Sequence, residues 1–131
     1  MEIKHAYPPN YDQVAKVFSR NAISNAVFTY GNTIYSPRGN PIAGHLLHHE
    51  QVHMKQQRAG AEEWWHRYLV DPEFRLSQEL EAYREQYKFI KTNYGREDRR
   101  VLLKHIVKDI ASPMYGNMIN KELAKQLITE G

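Results

Sequence analysis

The sequence contains no cysteine. Disulfides and thiolate ligands are thereby excluded, and any transition-metal site has to be assembled from imidazole and carboxylate. Long apolar runs are missing too. Hydrophobic residues make up 41% of the chain, yet no run approaches the ~20 consecutive positions of a membrane-spanning helix, so no membrane partner is expected. The first residues, MEIKHAYPPNYDQ, lack a basic start followed by an apolar stretch, so no secretory signal is read and the expected location is the cytoplasm. Charge of a single sign is absent as well: 18 basic residues are mixed with 15 acidic ones for a net +3. That mixture makes nucleic-acid binding a minor reading. A chain of 131 residues suits one domain, spanning 1–131, with a modest core.

Along the chain, 10–26 places Val14, Val17, Phe18 and Ile23 at roughly helical spacing after an Asn/Asp start and predicts a helix. VFTYGNTIYS (27–36) holds two β-rich runs around Gly31-Asn32 and reads as a hairpin, or as one bent edge strand with a glycine bulge. SPRGNP (36–41) is a loop. Helices are predicted over 42–58, stopped near Gly60, over 61–70, over 73–93 after Asp71-Pro72, over 96–111, and over 117–129 after a Ser112-Pro113 turn.

The helix over 42–58 contains HLLHHEQVHMKQQ, and within it His49-Glu50-Gln51-Val52-His53 is an HExxH pentapeptide. Residues four apart stack on one helix face, so His49 and His53 can offer nitrogens to one ion while Glu50 points about 100° away, beside that ion. This spacing suits zinc with a bound water whose proton Glu50 takes and later delivers to a leaving amine. The competing reading is a helix with solvated or core-satisfied histidines. His45 also stands four residues before His49, but only the 49/53 pair encloses a glutamate directly after its first histidine. His45 is therefore assigned to the rim or to a supporting hydrogen bond, and His48 to the surface or to packing.

A catalytic zinc normally takes three protein ligands and leaves a position open. No third histidine follows closely, since 54–59 reads MKQQRA. A downstream carboxylate remains, and Glu79-Leu80-Glu81-Ala82-Tyr83 on the long helix offers two, Glu79 and Glu81. With this segment the chain resembles the gluzincins, zinc metallopeptidases whose HExxH helix is completed by a glutamate from a following helix. The resemblance covers roughly 27–90 and is that of a minimal version, of the kind found among small bacterial and phage proteins. It implies that Glu79, opening an E-x-x-(small) match, is the third ligand and that Ala82 permits close helix packing. Tyr83 departs from the family, which usually has Asp or Asn there to orient a ligand histidine. The same residues also make an ordinary amphipathic helix, with Leu80, Tyr83, Tyr87 and Ile90 at core spacing.

The expected fold is a compact, zincin-like α+β domain, mainly α, with a small β-hairpin or edge strand packed beside the metal-binding helix. The expected function is zinc-dependent peptide hydrolysis: His49, His53 and Glu79 hold Zn2+, Glu50 is the catalytic base, and a peptide or protein is the substrate, held as an extended chain along the strand near 27–36. Tyr83, Tyr115 and His105 are candidate donors to the developing oxyanion. Trp64 and Trp65 cap the core or rim a cleft. Two other readings stay open: a non-catalytic zinc-binding structural or interaction module, and nucleic-acid binding through the basic 88–104 stretch.

Overall fold

Helix α4, Pro72–Asn93, is the spine of the fold in the computed structural model, which describes residues 1–130. Its start is fixed locally. Asp71 Oδ1 accepts from the backbone N–H groups of Glu73 (3.1 Å) and Phe74 (3.2 Å), and Pro72 occupies the first turn, where no N–H is needed. No glycine interrupts it until Gly95, so it runs for 22 residues. The elements in order are β1 (Glu2–Lys4), α1 (Tyr11–Phe18), β2 (Phe28–Tyr30), β3 (Thr33–Tyr35), α2 (Gly44–Gln56), α3 (Ala61–Val70), α4, α5 (Arg96–Ile110), a 3-10 turn at Pro113–Tyr115 and α6 (Lys121–Glu130). The mainly helical α+β class is the one the sequence predicts.

The strands form one sheet in the order β1-β3-β2. β2 and β3 pair antiparallel around Gly31-Asn32, with Thr29 opposite Ile34, and Gly31 takes the positive φ of 64° that the turn requires. β1 pairs parallel with β3, an addition to the expected hairpin. The helix expected over 10–26 stops at Phe18. Beyond it Ser19 adopts φ 72°, its hydroxyl accepts from the Ala22 N–H, and short turns run on to Ala26. The serine hydroxyl here offers the backbone a local partner that competes with a helical ladder.

Two apolar clusters build the interior. One gathers Val14, Ile23, Phe28, Trp64, Trp65 and Tyr68 from α1, the turns after it, β2 and α3. The other gathers Tyr83, Ile90, Ile106, Ile110, Ala124 and Ile128 from α4, α5 and α6. α2 packs along α4 more closely than any other pair of elements, and small residues permit the approach: Ala82 is fully buried, and a side chain at Gly44 would meet the Phe89 ring at 3.2 Å. Along this seam, between the two clusters, lie the polar residues described below.

Arg75 ties the corner together. Its buried guanidinium donates to the carbonyls of Tyr68 (2.9 Å), Leu69 (3.0 Å) and Met114 (2.9 Å) and lies over the Phe18 ring at 4.8 Å. It thus closes α3 onto α4 and pins the 3-10 turn. Replacing Arg75 with alanine removes three charge-assisted bonds and is expected to lower stability by about 3 kcal/mol or more. Urea unfolding checks this, and a loss under about 1 kcal/mol would contradict the clasp.

Candidate metal centre

α2 presents His49 and His53 on its α4 face, and α4 presents Glu79 in return. His49 Nε2 and His53 Nε2 each lie 2.9 Å from Glu79 Oε1 and 3.2 Å from each other. Glu50, one position round the helix, brings Oε2 to 3.9 Å from His49 Nε2. All four side chains are buried. His49, Glu50 and His53 already form a group able to bind a metal ion, with ligand atoms within 4.8 Å of one another. Glu79 comes closer still to the two imidazoles.

The outer atoms of these side chains are held by hydrogen bonds. Gln86 turns its amide oxygen to His49 Nδ1 (2.9 Å) and its nitrogen to His45 Nδ1 (2.8 Å). Gln56 Oε1 meets His53 Nδ1 at 2.8 Å, while its nitrogen donates to the Gln78 carbonyl and to Glu81, both at 3.0 Å. With both Nδ1 atoms donating to amide oxygens, both Nε2 atoms carry lone pairs. The Tyr68 hydroxyl donates to Glu79 Oε2, which leaves Oε1 for the centre. Thr29 Oγ1 donates to Glu50 Oε1 at 2.9 Å. Three electron-pair donors therefore converge on one point, and ligands of a tetrahedral zinc at ~2.0–2.1 Å would stand about 3.3 Å apart. The donor set fits such an ion, and second contacts of this type are what orient metal-binding histidines.

Electrostatics agree. Burial pushes the His53 imidazolium down, but the Glu79 charge and hydrogen bonds outweigh it and lift the group to about 9. Burial pushes the Glu79 carboxyl up, yet the two histidines hold it well below the usual carboxylate range. Without a metal, a proton on His53 takes the cation's part.

Of the residues singled out in the sequence, His49, His53, Glu79 and Glu50 are brought together. Glu81 faces outward to Gln56, so Glu79 is the inward glutamate. His45 supports His49 through Gln86, and His48 is exposed and stacks on Phe89 at 4.2 Å. Trp64 packs on His53 at 5.4 Å and Trp65 Nε1 donates to the Thr29 carbonyl, so both belong to the buried wall. Tyr83 lays its ring against His49 at 4.5 Å and donates its hydroxyl to Asp109. His105 is exposed on α5. Tyr115 is buried beside the Tyr68 and Tyr83 phenols. The basic 88–104 stretch is partly neutralised by the Arg100–Glu97 pair within it and by the pairing of Lys88 with Glu85 just before it.

The centre opens into a cavity of about 470 Å³ with apolar walls that include Val14, Phe18, Ile23, Phe28, Leu46 and Met114. The inner edge of β2 is spent on the chain itself: the Thr29 carbonyl accepts from Gln57 and Trp65, and the Gly31 N–H donates to Gln57. No helix among the described residues is long and apolar enough to cross a membrane.

Sequence reasoning missed Tyr68, Gln86, Gln56, Thr29 and Asp109. A signal existed for Gln86 alone: it lies seven residues after Glu79, on the stripe that also carries Ala82, Tyr83 and Ile90. No protein-family model, curated protein or solved structure matches this chain.

Two outcomes follow from this geometry. The His53 value in the fold lies above its unfolded 6.5, so its stabilisation is complete below pH 6.5 and lost as pH rises through about 9. In chelator, urea stability should therefore fall across that window, and a saturating divalent ion should flatten the slope. A flat curve in chelator would contradict the Glu79 pairing. Gln86→Leu frees the His49 ring and is expected to weaken metal affinity by roughly 10–100-fold, read by competition with a chromophoric chelator. Unchanged affinity would leave Gln86 a packing residue.

Proposed function

We propose that this chain is a zinc-dependent hydrolase, a metallopeptidase of the gluzincin type, with His49, His53 and Glu79 holding the ion. The observation that carries the reading is the convergence of His49 Nε2, His53 Nε2 and Glu79 Oε1 within 3.2 Å, with the Glu50 carboxylate alongside. Two imidazoles, one carboxylate and no thiolate form a donor set that zinc accepts while keeping a position open. When bound, the ion polarises the scissile carbonyl and acidifies water.

The remaining work falls to the chain's own groups. Glu50, fixed through one oxygen by Thr29, keeps Oε2 on the side of the histidines, where it takes the proton of the attacking water and passes it toward the leaving amine. Tyr68 and Tyr83 give their hydroxyl protons to Glu79 and Asp109, so Tyr115 is the cavity phenol without a carboxylate acceptor. It is the donor available to the carbonyl oxygen as negative charge builds there. The apolar walls exclude water and strengthen these interactions.

A second reading has its own support. The four central residues are buried, and the Thr29 carbonyl of the neighbouring strand is occupied by Gln57 and Trp65. A zinc-binding module without turnover fits those facts.

Protein purified without added metal should carry about one zinc per chain by elemental analysis. Glu50→Gln should keep the metal and lower peptide hydrolysis by about 10³-fold or more, whereas Glu79→Ala should lose the metal. Stoichiometric zinc with no cleavage of any peptide in a broad library would sink the hydrolase and favour the module.

A further inference from the structure

Asp109 lies on α5, which packs on α4, and its side chain lines the cavity of the metal centre. Its Oδ2 accepts the Tyr83 hydroxyl proton, and the Tyr83 ring rests on His49. The residue as a whole is exposed, but its carboxyl is turned inward at the cavity rim with Oδ2 tied to Tyr83, and burial raises it above the usual aspartate value. The groups facing it are Tyr83 and Glu79 on α4, His49 on α2 and Tyr115 in the 3-10 turn. No lysine or arginine is among them. None lines the cavity either.

The charges of the cavity then count as follows. Its charged or titratable lining residues are His49, His53, Glu50, Glu79, Asp109 and the tyrosines. With neutral imidazoles, a divalent cation at the centre is balanced by Glu50 and Glu79. Asp109 is left over, an anion without a counterion in a protein of net charge +3. Beside it Tyr115, 4% exposed, holds a phenol with no carboxylate to bond, turned into the same cavity. An uncompensated carboxylate at the mouth of an apolar cavity attracts a positive group more strongly than one in open water.

We propose that Asp109, held by Tyr83, is a substrate-recognition site for a positively charged nitrogen, so that the ligand of this cavity is a peptide or peptide-like amide with an ammonium or guanidinium group close to the bond at the metal and an apolar side chain beside it. This rests on the hydrolase reading for the identity of the ligand and adds what that ligand must carry. The charge has two sources in a peptide, a free amino terminus or a lysine or arginine side chain. A terminal amine would make the protein an exopeptidase, and a side chain would make it an endopeptidase with basic preference.

The test reads binding. Zinc-loaded Glu50→Gln protein is titrated calorimetrically with short leucine- and phenylalanine-containing peptides in four forms: amino terminus free or acetylated, and one residue lysine or norleucine. The expected result is tighter binding, by about tenfold, of one charged form over its neutral counterpart, weakening as salt is raised. Asp109→Asn should abolish the difference without altering zinc content, and Asp109→Lys should invert it in favour of peptides bearing a carboxylate. Tyr83→Phe, which leaves the carboxylate but frees it, should reduce the preference. The pair that shows the difference identifies the source of the charge. Equal affinity for charged and neutral forms, a preference that survives in Asp109→Asn, or no binding of any peptide would each overturn the proposal. Failure of hydrolysis in the wild-type protein would not, because a non-hydrolysing module would still select its ligand at Asp109.

Discussion

Three lone-pair-bearing atoms, two imidazole nitrogens and one carboxylate oxygen, are held about 3 Å apart in the interior of this protein, and they repel one another unless a cation stands between them. The constraint reaches well beyond the three atoms. Each of the side chains is fixed at its outer end by a neutral hydrogen-bonding group, Gln86, Gln56 or Tyr68, so that none can turn away and relieve the repulsion. Glutamine amides and a phenol add no charge. The centre can therefore respond to a proton or a metal ion and to little else, and the proton on His53 is the form it takes when metal is absent.

Holding such a cluster costs free energy, and the packing around it offsets that cost. The cluster sits in the seam between two apolar cores rather than inside either, and α4 borders both. Successive faces of that single helix do different tasks: Arg75 closes the corner with α3, Glu79 enters the centre, Ala82 lets α2 approach, Tyr83 turns toward Asp109, and Ile90 fills the second core. A change in the direction of α4 would move all five at once. A metal ion held by His49, His53 and Glu79 would join α2 to α4 across the most extensive helix contact in the fold, and its binding would then add to global stability.

How much of this was legible in the sequence follows from the range of each interaction. The HExxH pair could be read because helical spacing alone brings residues 49 and 53 together, with no knowledge of the rest of the chain. Helix α4 could be read from Asp71-Pro72 and the absence of breakers. Glu79 and Glu81 are two residues apart on the same helix and differ by about 200° in direction, so the stripe of Ala82, Tyr83, Gln86 and Ile90 decides between them. That stripe is visible only once the buried face is known. Tyr68, Thr29 and Asp109 reach the cavity from three other elements, and no local pattern announces them. β1 is three residues long and exists through its nonlocal pairing with β3, and past the end of α1 the Ser19 hydroxyl satisfies the Ala22 N–H in a turn.

The position of β2 changes what the sheet is for. A strand beside an HExxH helix invites the reading that its edge receives an extended substrate. Here Thr29 uses its hydroxyl to hold Glu50, and its carbonyl is taken by Gln57 and Trp65. β2 is thus a mount for the carboxylate, stiffened by the same bonds that close its edge. Beside that mount the cavity offers apolar walls together with the polar side chains of Asn21, Ser24, Asn25, Asp109 and Tyr115. On the hydrolase reading, a ligand held in this cavity would be selected by the chemistry of its side chains or terminus against those walls and polar groups.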